Sequence, residues 1–187
     1  IELGLVGSEM CIRDSNGILS KDTTQTDLIP LFPCALIWID INGDNYKDLL
    51  TLGRLQLNGV SHMYINDGMG KLIKSSDQPF EIPSILHAIS VGDHNSDGYD
   101  DIAIAHLNGT EMHTNIYTNE YGSSSINEFS LHQELQGATY ASLDWGDYDN
   151  DGDLDLVTSG YTATSTTDQG LEAVSYTHLT LPTRRFV

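Results

Sequence analysis

Apolar residues fall at alternate positions ahead of three acidic stretches, and a short apolar or β-branched run follows each of them. With the stretches aligned on Asp40, Asp93 and Asp147, the positions four before are Leu36, Ile89 and Leu143, and those two before are Trp38, Val91 and Trp145. Five before stand the small residues Ala35, Ala88 and Ser142, while the positions between are mixed (Ile37, Ser90, Asp144). Period-two alternation describes a strand with one buried face, here the face of Leu36, Trp38 and their counterparts. Leu49-Leu50-Thr51-Leu52, Ile102-Ala103-Ile104-Ala105 and Leu156-Val157-Thr158-Ser159 predict a second strand, so each acidic stretch joins the two arms of an antiparallel hairpin. Ser61 to Asn66 and Thr114 to Asn119 read as a third strand, followed in the first unit by the turn Asn66-Asp67-Gly68-Met69-Gly70. Residues 71–74 and 128–132 read as a fourth, more exposed strand, and Asn16-Gly17-Ile18-Leu19 as that turn and strand of a preceding unit. Gly53 and Gly160 read as turns after the second strands, and residues 23–33 and 75–84, with their prolines, as connections between units.

The first aspartates stand 53 and 54 positions apart, an internal repeat. No long stretch has helical periodicity, so the expected fold is all-β with four short strands per unit. Such units at this spacing fit propeller blades stacked radially. The expected blades are residues 35–80, 85–136 and 138–173, the last stopping after its second strand, with residues 15–34 closing a preceding blade and linking onward. Closed propellers typically have about 4–8 blades, so a fragment of a larger propeller is expected, its nearest partners being other blades of the same full-length chain.

The two ends read differently. Met10-Cys11-Ile12-Arg13-Asp14 can be encoded ATG TGT ATA AGA GAC, whose reverse complement encodes Val-Ser-Tyr-Thr-His, the sequence of Val174 to His178. An inverted repeat in DNA has no protein-level cause, so residues 1–14 and 174–187 are read as translated sequencing adapter and set aside. Cys34 is then alone, a small buried residue rather than half of a disulfide.

The net charge of −19 argues against a nucleic-acid partner, whose backbone demands Lys and Arg. No apolar run reaches the roughly 18 residues of a membrane span, so no membrane insertion is expected. The acid is also localised: the three stretches hold 12 of the 27 Asp and Glu residues, which marks a site rather than a disordered solvating tail. Carboxylates at every second position make sense around a hard divalent cation that takes oxygen ligands at about 2.3–2.6 Å. Oxygen side chains at positions 1, 3, 5 and 9 of a nine-residue loop, with the backbone carbonyl of position 7, give three candidate sets. They are Asp40, Asn42, Asp44, Tyr46 and Asp48; Asp93, Asn95, Asp97, Tyr99 and Asp101; and Asp147, Asp149, Asp151, Asp153 and Asp155. Up to three Ca2+ ions are expected. Position 6 must turn sharply and is Asn45, Gly98 or Gly152, residues that tolerate positive φ. The third loop has the most carboxylates and is expected to bind tightest.

An EF-hand begins similarly but needs Glu at position 12 and flanking helices, where this chain has Thr51, Ile104 and Thr158 between strands. Plain Asx-rich turns without metal are the bland alternative, and magnesium prefers a smaller, water-rich octahedral site. The pattern Asp-x-Asp/Asn-x-Asp-Gly-x-x-Asp-Leu/Ile after an apolar strand resembles the FG-GAP/VCBS repeats of integrin α-like propellers. Trp145-Gly146-Asp147 through Leu156 is especially similar to the bacterial VCBS type. The resemblance implies a seven- or eight-bladed propeller, calcium in each loop and an extracellular or cell-surface setting. Trp38-Ile39, Val91-Gly92 and Trp145-Gly146 replace its Phe-Gly, and no Gly-Ala-Pro follows, which weakens the integrin comparison.

No catalytic constellation is visible. His62, His87, His94, His106, His113 and His132 are scattered without zinc-ligand spacing, and His94, at position 2 of its loop, is expected to be exposed. Asn108-Gly109-Thr110 matches a glycosylation sequon but reads as an ordinary turn. Carboxylates clustered on a cation are ligands before they are an acid/base pair. The expected role is a non-catalytic, calcium-stabilised propeller module that binds protein or glycan in adhesion. The alternatives are an accessory propeller of an extracellular polysaccharide-degrading enzyme and a purely structural spacer.

Overall fold

The computed structural model describes residues 11–13, 19–21, 28, 29, 31, 34–55, 58–76, 85–121, 129–161 and 174–177. All regular elements among them are strands. A short ribbon pairs β1 (Cys11–Arg13) with β2 (Leu19–Lys21). Three antiparallel sheets follow in chain order. The first is β3 (Cys34–Ile39), β4 (Asp48–Leu55), β5 (Asn58–Asn66) and β6 (Leu72–Lys74). The second is β7 (Ile85–Gly92), β8 (Asp101–Asn108), β9 (Glu111–Asn119) and β10 (Phe129–Gln136). The third is β11 (Thr139–Gly146), β12 (Asp155–Tyr161) and β13 (Val174–Thr177). Within each sheet every strand pairs with its neighbour in sequence, the up-and-down meander of a propeller blade. First strands of successive sheets adjoin, β3 against β7 and β7 against β11. The registers Ile39↔Asp48, Gly92↔Asp101 and Gly146↔Asp155 close the three hairpins on the acidic loops. Gly109, at φ 64°, turns β8 into β9, so the sequon is an ordinary hairpin turn.

Each sheet buries both faces where it has a neighbour on each side. Ile39, Ile41, Leu50, Leu52 and Met63 of the first sheet interlock with Ile102, Ile104 and Phe129 of the second, and Ile37, Ile65, Ile89 and Val91 complete that layer. The opposite face of the second sheet, Ala103, Ala105 and Ile116, meets Ala138, Ala141, Leu143 and Leu156 of the third. Fully burying a Leu or Ile side chain is worth about 1.5–3 kcal/mol, so these two layers hold the sheets in order. The expectation that Leu36 and Trp38 lie on the buried face of their strand is corrected here: they are 63% and 53% exposed, whereas Ile37 and Ile39 face the core. Their equivalents Ile89, Val91, Leu143 and Trp145 all pack on the preceding sheet. On the first sheet the segment at Leu28 and Ile29 crosses only the outer part of that face, over Leu49, Tyr64 and Leu72, with the Ile29 N–H donating to the Tyr64 hydroxyl at 2.9 Å.

Other expectations also shift. Gly53 and Gly160 lie inside β4 and β12 rather than in turns. A Cβ on Gly160 would stand 2.6 Å from that of Ala138, so this glycine admits a close backbone approach. The third sheet does not end at its second strand, because β13 pairs with β12 through Leu156↔Thr177 to Ser159↔Val174. A ladder uses backbone groups, so an extended, β-branched segment that reaches the open edge of β12 extends the sheet whatever its origin. Cys34 heads β3, and its side chain lies outside the described residues, as do most of the connections at 23–33 and 75–84 and the turn at 16–18.

Gly137 carries the chain from the outer strand β10 to the inner strand β11. A Cβ there would lie 2.2 Å from the His113 nitrogen and the Met112 carbonyl carbon, both backbone atoms that cannot step aside. Gly137→Ala is therefore expected to cost about 2–3 kcal/mol, read as a lower urea midpoint at unchanged slope. A shift under a few tenths of a kcal/mol would show that the crossover has room to relax.

Candidate metal centre

The three acidic loops are built alike. In each, the first aspartate accepts N–H groups from positions 5 and 6: Asp40 from Asp44 (3.2 Å) and Asn45 (2.8 Å), Asp93 from Asp97 (3.0 Å) and Gly98 (2.9 Å), Asp147 from Asp151 and Gly152 (both 3.1 Å). The position-3 oxygen of Asn42, Asn95 or Asp149 accepts from position 5 as well. The position-5 carboxylate then accepts the N–H of position 7, namely Tyr46, Tyr99 or Asp153. These bonds curl the backbone around the side chains of positions 1, 3 and 5, so their oxygens face a common centre. Position 6 has positive φ in all three loops (67° at Asn45, 92° at Gly98, 96° at Gly152), as the residue types there require. Position 4 is left-handed too, at Gly43, Ser96 and Asn150, a second kink that small or Asx-type residues tolerate.

In the third loop one carboxylate oxygen each from Asp147, Asp149 and Asp151 lies within 4.8 Å of the others. Like charges that close repel by between about 1 and 3 kcal/mol per pair, depending on local dielectric. An all-oxygen, multiply charged donor set is what a hard cation of calcium's size takes, and the residues present fit it. In the first two loops position 3 is an amide, whose NH2 donates to the Asp44 or Asp97 carboxylate at 2.9 Å while its oxygen accepts the backbone N–H of the same residue.

Position 9 is different. Asp48 and Asp101 are fully buried, and each has both oxygens engaged by backbone N–H groups. Asp48 holds Ile41 (3.0 Å) and Asn66 (2.7 Å); Asp101 holds His94 (3.0 Å) and Asn119 (2.7 Å). Each ties its loop to the end of the third strand. Asp155 accepts from Tyr148 at 2.9 Å in the same way. Burial raises the pKa of Asp48 and pushes that of Asp101 up to about 7, against the lowering by their N–H donors.

Position 7 was expected to offer a carbonyl. Its side chains have work of their own: the Tyr99 ring lies over Gly43 of the preceding loop, and Tyr46 over Gly68 of the β5–β6 turn. The first two loops are also bonded to each other. Asp100 accepts from the Asp40 N–H (3.0 Å) and pairs with Lys47 (2.8 Å), while Asn119 donates to the Ile41 carbonyl at 2.9 Å. The repeat pattern gave no sign of Asp100 or Asn119, because both act across sheets.

His94 is the clearest departure. It is buried rather than exposed, its ring stacked on Trp145 at 5.9 Å and its Nε2 3.2 Å from the Thr118 hydroxyl. Gly92 makes the space, since a Cβ there would stand 2.9 Å from the Trp145 ring. A position-2 side chain points away from the centre of its loop, and in a stacked array that direction leads into the next sheet. Among the described residues, the third loop alone brings three carboxylate, imidazole or thiol ligands together.

A family model described as an FG-GAP-like repeat matches residues 40–104 and 93–158. Each match begins on the first aspartate of one loop and ends on the second strand of the next unit. No curated protein matches the chain.

Proposed function

The chain belongs to the family of FG-GAP-like repeats, and on that footing we propose that it is a calcium-stabilised β-propeller module of a secreted or cell-surface protein that binds a protein or glycan partner. The observation that carries the calcium reading is the convergence of Asp147, Asp149 and Asp151 in a loop whose backbone is repeated twice more. Calcium supplies the positive charge that lets these carboxylates stay close. The chain's own residues do the rest: positions 1, 3 and 5 hold the ion, the two left-handed residues curl the backbone, and position 9 fastens the loop to its sheet. The reading is structural, not catalytic, because the same residues serve as ligands and braces in every unit. An extracellular setting, where free calcium is abundant, would keep even modest sites filled.

The loop end of the sheets supports a binding role. Tyr46 and Tyr148 are 51% and 68% exposed there, and Met69 of the adjoining turn is 89% exposed. Exposed Tyr and Met are enriched where protein surfaces meet partners, and Tyr joins an apolar ring to a hydrogen-bonding tip suited to sugars. Calorimetric titration of the 187-residue chain with Ca2+ tests the first part. Up to three sites are expected, magnesium binding more weakly, and Asp151→Ala removing the tightest. A folded chain that takes up no calcium would overturn the reading.

A further inference from the structure

The first two acidic loops are strapped to each other, and the strap ends on the residues that would order the first loop around an ion. Asp100, at position 8 of the second loop, accepts the backbone N–H of Asp40, position 1 of the first, at 3.0 Å. The same carboxylate oxygen accepts from Lys47 Nζ at 2.8 Å, so position 8 of both loops takes part. The Tyr99 ring lies over Gly43 so closely that a Cβ there would meet its Cε1 at 2.7 Å. A second route runs through the end of β9. Asp101 holds the Asn119 N–H at 2.7 Å, and the Asn119 side-chain amide donates to the Ile41 carbonyl at 2.9 Å. In the third loop Asp153 and Leu154 stand in place of Tyr99 and Asp100. An alkyl side chain accepts no N–H, so this carboxylate strap is not repeated from the third loop to the second.

We propose, resting on the calcium reading above, that the first two loops bind calcium with positive cooperativity and that Asp100 is the positioning residue that couples them. With Asp93, Asn95 and Asp97 closed on an ion, the Asp97 carboxylate, which accepts the Tyr99 N–H at 2.9 Å, is held still. Tyr99, Asp100 and Asp101 are then held with it, and both routes leave from these three residues. They arrive at Asp40, Ile41 and Gly43, the part of the first loop that must be ordered before its own ion binds. Once one ligand has ordered a shared element, the next has less ordering to do, which is positive cooperativity without a change of fold. Coupling is reciprocal, so an ion in the first loop tightens the second by the same factor. Coupled sites commonly gain about 5–150-fold in affinity, and a strap of a few hydrogen bonds and one ring contact belongs at the lower end.

The test follows the amide resonances of Gly43, Gly98 and Gly152, one glycine in each loop, in NMR spectra of the isotope-labelled full chain titrated with Ca2+. Gly43 and Gly98 should shift together over one narrow calcium range, with a Hill slope clearly above one. Asp100→Ala, which removes the strap and no proposed ligand, should lower both slopes toward one and weaken calcium at Gly43 by about 5-fold. Gly152, with no part in the strap, should keep its curve. A carboxylate that served structure only would lower the melting temperature in chelator and leave the slopes alone. Tyr99→Ala, which strips the ring from Gly43, should lower the slopes as well, and it decides if Asp100→Ala fails to fold. Slopes of one in the parent chain, or steep slopes undiminished by Asp100→Ala, would overturn the coupling and leave the calcium reading standing. Shifts at Gly152 alone would overturn it too, since the first two loops would then have nothing to couple. A folded chain with no shift at any of the three glycines would sink the calcium reading itself, and the coupling with it.

Discussion

Asp101→Ala is expected to cost about 2–4 kcal/mol of folding stability in chelator, with no metal involved. The substitution leaves the N–H groups of His94 and Asn119 unpaired in a buried site, at about 1–3 kcal/mol each, and both now bond the carboxylate at 3.0 and 2.7 Å. Part of that loss is offset because burial already disfavours the ionised carboxyl, pushing its pKa up to about 7. Asp101→Asn should cost about half as much, since the amide oxygen satisfies one N–H while its own NH2 opposes the other. Asp97→Ala, at an exposed position of the same loop, should cost under about 1 kcal/mol in chelator yet abolish binding at that loop. Urea unfolding of the three variants measures all of this. If Asp101→Ala and Asp97→Ala prove equally mild in chelator, position 9 is no brace and the division of labour within the loop is wrong.

That division was only half legible in the sequence. The alternating carboxylates marked the loops, their flanks marked the hairpins, and the glycines at 98 and 152 marked the sharp turn; local chemistry at fixed spacing decides all three. The same spacing gave no sign that Asp48 and Asp101 brace their loops, because that role exists only once the ends of β5 and β9 arrive beside them. Alternation also misassigned the first sheet. A blade buries two faces, so Ile37 and Ile39 are core while Leu36 and Trp38 face outward, and the pattern records the face that meets the preceding sheet in every unit. His94 departs from expectation for a related reason: the direction away from the loop's centre leads to Trp145 and not to solvent. The facing of His106 and His113 is also set by the hairpin and not by their spacing in the sequence. A tight turn centred at Asn108-Gly109-Thr110 sets the hairpin register, and that register places the two rings opposite each other.

Calcium should raise the stability of the chain more than any single substitution lowers it. An ion that binds the folded loops and not the unfolded chain adds about 2.7 kcal/mol per site at a hundredfold its Kd, so three filled sites would add about 8 kcal/mol. The charge arithmetic runs the same way, since three divalent ions would take the net charge from −19 to −13. Simple screening predicts something else: sodium chloride at matched ionic strength weakens repulsion between exposed carboxylates over a Debye length of about 10 Å at 0.1 M, with no preference for calcium. Thermal unfolding in calcium, in magnesium, and in chelator with matched salt separates the two. The expected order places calcium well above magnesium and magnesium above salt alone, with Asp151→Ala losing the largest share of the calcium increment because its loop brings three carboxylates within 4.8 Å of one another. Equal stabilisation by all three would mean that the loops respond to ionic strength and hold no ion. A calcium increment untouched by Asp151→Ala would place the tightest site in one of the other two loops, where an amide stands at position 3.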